Sequence, residues 1–271
     1  MYTMLDASVI KISGEDSEEF LQNLVTNDIK NTNEGSIYAM ILSPQGRYLF
    51  DMFITKMKES EYLLEIITEN SSRLLGKLVL YKLGKNVDIE QIPTYKIVYT
   101  SEQQSGDDII CSYRDPRFKK LGFRSIVNQN YLHNHEVSLT NLYYEDKYNY
   151  AIPDGEIDLE QEASIPIEYG LEQINGISYT KGCFIGQEVM TRTKTQGVLR
   201  KKIYKLESDE YNLTKLNREV LSDEDDEKIG VILSSTKNSA IAMFKIDRIN
   251  GDLINIQNMY ITISNPEWQK V

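Results

Sequence analysis

The segment KGCFIGQE, Lys181 to Glu188, places one of the chain's two cysteines, Cys183, directly after a lysine and a glycine at a predicted loop-to-helix junction. A helix N-terminus carries partial positive charge and unpaired N–H groups, and a nearby ammonium group adds to this field. A cysteine in such a position tends to be a reactive thiolate. The alternative is a small buried side chain, since free cysteine is among the most buried residue types. The segment alone leaves a reactive and a structural Cys183 equally open.

Composition and charge narrow the class of protein. The chain has 271 residues. A chain of this length exceeds the usual size of a single hydrophobic core, so two or three domains are expected. Hydrophobic residues make up 41% and charged residues 26%, which is ordinary for a globular protein. With 41 acidic against 30 basic residues the net charge is −11, and such a surface repels phosphate backbones. The charge therefore predicts no direct binding of nucleic acid.

Cysteine usage and hydropathy indicate the compartment. Cys111 and Cys183 are too few for a disulfide framework and indicate a reducing environment. No apolar stretch approaches the roughly 18 to 20 residues that span a membrane. The start of the chain, MYTMLDASVIKISGEDSEEF, contains acidic residues that signal and transit peptides avoid. We therefore expect a cytoplasmic protein that has no contact with membranes. A monomer is the expected state.

Strand and helix patterns alternate through the first hundred residues. Asp16 and Glu19 are spaced as a capping box, so a helix is predicted over Ser17 to Val25. The loop Ser43 to Gly46 has Pro and Gly where a tight turn needs them and predicts a hairpin. A second helix is predicted before Gly84, which can end it in the left-handed conformation. The predicted strands are 8–12, 38–42, 47–56, 62–67, 87–92 and 95–100.

The order strand, helix, strand within an otherwise antiparallel set indicates a ferredoxin-like unit. Further strands at 109–113 and 121–127 and a helix over 139–150 follow. Short strands separated by turns, at 198–207, 228–234, 239–246 and 255–264, are typical of a small antiparallel barrel. The acidic run Asp223 to Glu227 is interpreted as a solvated loop tip.

Asp51 is the first candidate for chemistry, because it lies between large apolar neighbours on the predicted strand 47–56. Period two places it on the same face as Arg47 and Phe53. Such a carboxylate is either paired, with Arg47 as a plausible partner, or partly desolvated with a raised pKa, as in a prepared acid or base. An acid in solvent at a strand edge is the remaining interpretation.

Three arginines lie around one predicted turn. Arg114 and Arg117 flank Asp115, and Arg124 follows in the next strand. Guanidinium groups suit carboxylates and phosphates, so the cluster is a candidate site for an anionic ligand such as a polyglutamyl tail. Alternatively, Asp115 forms an ion-pair network that only fixes the turn.

The sequence lacks the usual motifs for metals and nucleotides. His133 and His135 are the only histidines, and too few other ligands have suitable spacing, so no metal site is predicted. Neither GxxxxGK followed by Ser or Thr nor GxGxxG occurs. Two cysteines cannot supply the four thiolates that hold an iron–sulfur cluster within one chain. Any role in cluster chemistry is that of a helper or of one partner in a shared site.

Four segments in a fixed order resemble those of the YgfZ family of folate-binding iron–sulfur maturation proteins. They are FLQNLVTND, SPQGRYLFD, RDPRFKKLGFR and SIPIEYGLEQINGISYTKGCFIGQEVMTRTKTQGVLRKKIYKL. The resemblance spans about Ser8 to Leu206, and KGCFIGQE is its most specific element. More distantly, this family is similar to the T-protein of the glycine cleavage system, a tetrahydrofolate-dependent aminomethyltransferase.

The resemblance implies an α+β fold with three domains in a T-protein-like ring around a folate-binding channel, a ferredoxin-like middle domain and a C-terminal small β-barrel. The implied domains are residues 1–40 with 136–194, residues 41–135, and residues 195–271. Tetrahydrofolate or a derivative is the implied cofactor, with no permanently bound metal or cluster. The implied function is accessory, in assembly or repair of 4Fe–4S clusters in target enzymes such as radical-SAM proteins, some of which modify tRNA. Iron–sulfur carrier proteins and recipient apo-enzymes are the implied partners.

The resemblance also implies roles for individual residues. Cys183, tuned by Lys181, contacts a cluster, a carrier protein or a reactive folate adduct. The residues implied in catalysis are Cys183, Lys181 and Asp51, and those implied in folate binding are Asp51, Arg114, Arg117, Gln187 and Glu188.

Two departures favour a non-catalytic role. The T-protein has two consecutive aspartates entering its strand, whereas this chain has Phe50 and then Asp51, so only one of the two carboxylates is present. Lys147 stands where relatives often carry arginine. A lysine cannot form the bidentate hydrogen bonds that an arginine makes with a carboxylate or phosphate. A maturation factor is therefore the leading hypothesis. A tetrahydrofolate-dependent aminomethyl or one-carbon transferase is the alternative, and an interaction module that kept only the fold is a third.

Overall fold

Three sheets organise the chain in the computed structural model, which describes residues 1–155, 157–222 and 227–269. In chain order the strands are β1 (Thr3–Leu5), β2 (Ala7–Ser13), β3 (Ile37–Leu42), β4 (Tyr48–Lys58), β5 (Glu61–Ile67), β6 (Asp88–Gln91), β7 (Lys96–Thr100), β8 (Ile109–Arg114), β9 (Phe123–Val127), β10 (Lys201–Glu207), β11 (Glu219–Leu221), β12 (Lys228–Ser235), β13 (Ser239–Lys245), β14 (Leu253–Ile256) and β15 (Met259–Ser264). The α-helices are α1 (Ser17–Leu24), α2 (Thr68–Tyr81), α3 (Gln129–Asn134), α4 (Leu142–Tyr150) and α5 (Gln187–Gln196). Of the acidic run predicted as a loop tip, residues 223–226 lie outside the described part of the chain.

The first sheet has the order β3-β4-β5-β2-β6, and its neighbouring strands are antiparallel. With α1 and α2, the strands β2, β4, β5 and β6 follow the βαββαβ order of a ferredoxin-like unit, and β3 extends one edge. This unit occupies residues 7–91, so strands on both sides of residue 40 share one sheet. The boundaries of the three domains stay a prediction.

The helices of this unit bury one face each. Phe20, Leu21 and Leu24 of α1 pack in the same core as Leu74 and Leu78 of α2, which is the helical spacing that the sequence predicts.

The predicted capping box before α1 is not formed. The Asp16 side chain makes no capping hydrogen bond, and its Oδ2 instead accepts one from the Asn86 main-chain N–H at 2.7 Å. The carboxylate therefore ties the start of α1 to the segment before β6.

The second sheet has the order β1-β7-β9-β8, and the third has the order β11-β12-β13-β10-β15-β14. Both are antiparallel, and the third is the expected C-terminal small barrel. The prediction of a single strand over 255–264 is wrong. That segment belongs to the hairpin of β14 and β15, whose connection places Gln257 and Asn258 at φ 55 and 63.

One core cluster combines all three sheets. It contains Tyr48 and Phe53 from the first, Tyr113 from the second, and Ile241 and Met243 from the third. The sheets therefore pack around a common centre, and the candidate site lies beside Phe53 of this cluster. Among the helices described, none is long and apolar enough to cross a membrane.

Candidate functional site

A cavity of about 300 Å³ lies beside β4, β9 and the segment that follows α4. Asp51 of β4, Arg124 of β9 and Arg117 after β8 line it together with Tyr143 and Asp154. Its volume is at the lower end of the roughly 300–1,000 Å³ typical of small-molecule sites. The structure thus brings three of the sequence-predicted residues, Asp51, Arg117 and Arg124, into one cavity.

Asp51 is held by two tyrosine hydroxyls. Tyr48 donates to Oδ1 at 2.6 Å, and Tyr38 donates to Oδ2 at 2.8 Å. Burial raises the pKa of Asp51 and the like charge of Asp154 adds to this, while the two hydrogen bonds oppose it. Arg47 is not the partner, because its guanidinium donates to a main-chain carbonyl. Asp51 is therefore a desolvated carboxylate whose two oxygens are both oriented.

Gly155 makes room for this arrangement. A Cβ at this position would lie 2.1 Å from Asp51 Oδ1 and 2.3 Å from the Tyr48 hydroxyl oxygen. Sequence reasoning did not assign this residue a role at the site. The signal that could have found it is the Pro153-Asp154-Gly155 turn, whose residues suit a tight chain reversal.

Two of the three arginines converge on buried carboxylates. Arg117 binds Asp115 through Nε at 2.9 Å and Nη2 at 2.6 Å, and Arg124 Nη1 lies 3.4 Å from the same carboxylate. Arg124 also donates from Nε to Glu65 at 2.8 Å, and Tyr113 donates to Glu65 at 2.7 Å. Burial alone would raise the pKa of Asp115, but the charges and hydrogen bonds of the arginines outweigh it and lower that pKa. The turn is therefore fixed by an ion-pair network, which is the alternative raised above.

Arg114 takes no part in this network. Its guanidinium donates to the carbonyl of Leu121 at 2.8 Å and lies 4.3 Å from the centre of the Phe123 ring. It is exposed and does not line the cavity. Its predicted role in ligand binding has no support from this placement.

The charge of the cavity lining favours hydrogen-bond donors as ligands. The lining contains four carboxylates, from Asp6, Asp51, Glu65 and Asp154, but only two guanidinium groups. Arg124 binds Glu65 of this lining and Arg117 binds Asp115 outside it, so the lining retains more carboxylate than guanidinium charge. A neutral or cationic group that donates hydrogen bonds therefore complements the cavity better than an anionic group does.

Cys183 is exposed and unpaired by disulfide. It lies three residues before Gly186, the N-cap of α5. Because the field of a helix is strongest within its first turn, the dipole of α5 acts on Cys183 less directly than the sequence predicts. A reactive thiolate at Cys183 stays a prediction.

Lys181 reaches the end of another helix instead of the thiol. Its Nζ donates to the carbonyls of Gln22 and Val25 at 2.6 Å and of Asn27 at 3.0 Å, around the C-terminus of α1. An ammonium group has three N–H donors, so all of them are engaged. Burial lowers the pKa of Lys181 to about 8, and the charge of Asp28 opposes this. Lys181 therefore anchors the cysteine segment to α1, and its tuning of Cys183 stays a prediction.

Gln187 and Glu188 differ in their surroundings. The Gln187 side chain accepts a hydrogen bond from the Phe184 N–H at 3.2 Å, which closes the turn directly after Cys183. Glu188 is exposed on the first turn of α5. Neither residue lines the cavity beside Asp51. Gln187 therefore positions the segment, whereas folate binding by either residue stays a prediction.

Two glycines join the cysteine segment to the β3–β4 hairpin. Gly186 has φ +84, and a Cβ on it would lie 2.6 Å from the Ser43 carbonyl oxygen and 3.1 Å from Gly46 Cα. Gly46 has φ +72 and faces Val189 of α5. The segments SPQG and KGCFIGQE, distant in sequence, are therefore in direct contact.

Cys111 and Lys147 have structural surroundings. Burial raises the pKa of the Cys111 thiol to about 11. Lys147 is fully buried, with Nζ 2.9 Å from Asp158 Oδ2. Burial alone would lower the pKa of Lys147, but the charges of Asp158 and Asp154 outweigh it and raise that pKa. Among the described residues no group of three or more His, Cys, Asp or Glu side chains is arranged to hold a metal ion.

Comparison with known proteins defines the class. The model of the GCVT N-terminal domain matches residues 2–97, and that of the CAF17 C-terminal beta-barrel domain matches residues 200–271. The structure of glycine cleavage system aminomethyltransferase T from Bartonella henselae superimposes with a TM-score of 0.74, covering 97% of this chain and 84% of that chain at 14% identity. The chain is a T-protein-like α+β protein with a C-terminal small barrel, and the predicted fold class is confirmed.

Curated relatives refine this class. The chain is 28% identical over 219 residues to the iron-sulfur cluster assembly factor IBA57 homolog, mitochondrial, of Mycosarcoma maydis, which covers 73% of this chain and 54% of the relative. It is 27% identical over 225 residues to the human iron-sulfur cluster assembly factor IBA57, mitochondrial, which covers 73% of this chain and 63% of the relative. The chain thus spans less than two thirds of the length of either relative. Together with the two domain matches, these findings support the CAF17/IBA57 family, related to the glycine cleavage T-protein, and they do not single out YgfZ.

The predicted cytoplasmic location is wrong on this comparison, because both relatives are mitochondrial proteins by name. The two free cysteines indicate a reducing environment, and this property does not distinguish one reducing compartment from another.

Proposed function

We propose that this chain is an accessory factor in the assembly or repair of iron–sulfur clusters and that it binds a reduced folate beside Asp51. The observation that carries the assembly role is the exposed thiol of Cys183 on a segment anchored by Lys181 and by the Gly46–Gly186 contact. The relatives named as iron-sulfur cluster assembly factors support the same role.

The cluster in this proposal is cargo, and the partner proteins supply most of its ligands. One thiolate of this chain provides a single ligand, whereas a cluster is usually held by four. Iron–sulfur carrier proteins and recipient apo-enzymes therefore supply the rest. The proposed recipients are 4Fe–4S enzymes such as radical-SAM proteins, including those that modify tRNA.

The cavity fits the head group of a reduced folate better than its tail. The pterin ring carries an amino group and ring N–H groups, which complement the carboxylates of Asp51 and Asp154. The glutamate tail is anionic, and Arg117 and Arg124 are already bound by carboxylates. The tail would therefore lie outside this cavity. Tetrahydrofolate, when bound, would supply a carrier for one-carbon groups.

Titration calorimetry with tetrahydrofolate tests the ligand. We expect wild type to bind and Asp51→Asn to bind about tenfold to a hundredfold more weakly, because a hydrogen bond to a charged group contributes about 1.5–3 kcal/mol. Asp88→Asn, an exposed carboxylate on β6, is the matched control and should bind as wild type does. Absence of binding to wild type would contradict the folate part of the proposal and favour an interaction module.

Complementation of a strain that lacks this protein tests the thiol. With the activity of a 4Fe–4S radical-SAM enzyme as the readout, we expect Cys183→Ser to lose most of the rescue, since a hydroxyl is a poor ligand for iron in a cluster. Cys111→Ser changes the partly buried cysteine and should retain rescue. Rescue by Cys183→Ser equal to that by wild type would show that the thiol has no role.

A one-carbon transferase is the second candidate, and the raised pKa of the buried Asp51 favours it. A carboxyl group with a raised pKa suits a general acid or base. Formation of methylene-tetrahydrofolate by the purified protein from an aminomethyl donor, and its loss in Asp51→Asn, would establish this activity over a purely accessory role.

A further inference from the structure

A basic stretch follows the cysteine segment in an otherwise acidic chain. Between Glu188 and Glu207 the sequence contains no acidic residue, against a net charge of −11 for the whole chain. The basic residues in this interval are Arg192, Lys194, Arg200, Lys201, Lys202 and Lys205. Charge runs are usually solvated surfaces, so their partners in the structure decide whether this one has a further role.

Part of this stretch forms no ion pair with the described residues, although the charge of Lys201 acts on the half-buried Glu168. Lys194 and Lys205 form ion pairs with glutamates. Arg192, Arg200 and Lys201 are exposed, and no carboxylate among the described residues lies within 4 Å of their charged groups. Two apolar side chains lie between them, Val198 at 82% and Leu199 at 41% exposure.

Lys201 also borders a groove on the barrel. The groove has a volume of about 240 Å³ and is lined by Ile229, Gly230, Val231, Met243, Lys201, Lys228 and Lys245. Its floor is therefore apolar and its three charged groups are all positive, although Lys228 pairs with Glu219 and Lys245 with Glu227. We call these seven residues, with Val198, Leu199 and Arg200, the basic groove.

The arrangement of two of these lysines works against the stability of the sheet. Lys201 of β10 and Lys245 of β13 are directly opposite each other in an antiparallel pair. Like charges in this relation destabilise a sheet. Lys245 lies 3.7 Å from Glu227, whereas Lys201 has no carboxylate within 4 Å among the described residues and interacts with the half-buried Glu168 from farther away. A carboxylate from another molecule would relieve this repulsion.

We propose that the basic groove is a docking surface for a protein segment that presents apolar side chains flanked by carboxylates. The apolar floor receives the side chains, and Arg200 and Lys201 face the carboxylates, with Lys245 beside them. Opposite charges arranged in this way also speed the encounter of the two proteins.

A protein fits this surface better than a nucleic acid does. The unpaired positive charges cover a small area, and the remainder of the acidic chain repels an extended phosphate backbone. The apolar floor and Val198 have no complement on such a backbone. Helix α5, which is 10 residues and so about 15 Å long, lies between Cys183 and the basic groove along the chain. The surface follows from charge and exposure, so it stands whether or not the chain binds folate.

Fluorescence anisotropy with three labelled probes tests the proposal. They are a helical peptide of glutamate and leucine, a polyglutamate of equal length and a single-stranded RNA of matched charge. We expect the Glu/Leu peptide to bind wild type about tenfold or more tightly than either other probe, and K201E/K245E to lose about tenfold or more of that affinity. Val198→Ser should reduce the preference for the leucine-containing peptide.

The double variant K30E/K119E is the matched control, since it reverses two exposed lysines far from the groove in sequence. Lys201→Gln separates loss of binding from loss of folding. It should weaken peptide binding while the melting temperature stays unchanged or rises. Equal binding of the two peptides, tighter binding of the RNA, an equal loss in K30E/K119E, or unchanged affinity in Lys201→Gln would each overturn the proposal. Tetrahydrofolate titration of the same variants reports the folate site separately.

Discussion

Replacement of Asp115 by alanine is expected to lower the free energy of unfolding by about 3–5 kcal/mol, because it leaves buried arginines without their counter-charge. Asp115 is 1% exposed and Arg117 is 2% exposed, so water cannot substitute for the lost carboxylate. Arg117 would lose three hydrogen bonds to that carboxylate, two from its guanidinium and one from its main-chain N–H, and Arg124 would keep only Glu65. Urea unfolding followed by the fluorescence of Trp268, the chain's only tryptophan and a buried one, measures the effect.

Arg114→Gln is the matched control for this prediction. It removes a charge one position away in sequence, but Arg114 is exposed and lies outside the network. Surface changes of this kind usually alter stability by no more than about 0.5 kcal/mol. A loss in Asp115→Ala as small as that in Arg114→Gln would contradict a stabilising role for the network.

The difference in stability between wild type and Asp115→Ala is expected to depend on pH. The arginines hold the pKa of Asp115 in the folded protein below its usual value. The stability it contributes is therefore fully present above the unfolded pKa of about 3.9 and is lost as the pH falls through the lower folded value. The difference in stability between wild type and Asp115→Ala should narrow only in strongly acidic solution.

Elements with a clear local pattern could be predicted from the sequence. The apolar spacing of Phe20, Leu21 and Leu24 is sufficient to define α1. Two errors arose where local rules compete with other interactions. Asp16 has a capping partner available locally, but it binds the main chain of Asn86 instead. The β14–β15 turn uses Gln257 and Asn258, which carry a weaker turn signal than a glycine would.

The candidate site could be predicted only in part, because its residues come from separated segments. Asp51 and Arg117 stand out by residue type and neighbours, whereas Tyr38, Glu65 and Gly155 meet them only through the fold. Lys181 illustrates the same limit. Its proximity to Cys183 in sequence predicts an effect on the thiol, yet its ammonium binds carbonyls more than 150 residues away in sequence.

Gly186→Ala is expected to have the second large effect, a loss of about 2–4 kcal/mol in the free energy of unfolding. Part of the loss comes from the positive φ of +84, since a residue with a Cβ in this region costs about 1–2 kcal/mol. The remainder comes from the new Cβ, which would lie 2.6 Å from the Ser43 carbonyl oxygen and force the hairpin and α5 apart. Urea unfolding gives the loss, and rescue of 4Fe–4S enzyme activity reports whether the Cys183 segment still functions.

Gly182→Ala provides the control within the same segment. A Cβ added to Gly182 would have no atom within 4 Å, and Gly182 does not adopt a left-handed φ. It is nevertheless the residue next to Cys183. Its replacement should therefore change stability by no more than about 0.5 kcal/mol and leave rescue intact. A loss of rescue in Gly186→Ala, with Cys183 still reactive toward a thiol reagent, would show that the thiol must be held in place as well as exposed. Equal stability and rescue in the two variants would mean that the contact between SPQG and KGCFIGQE does not hold the segment.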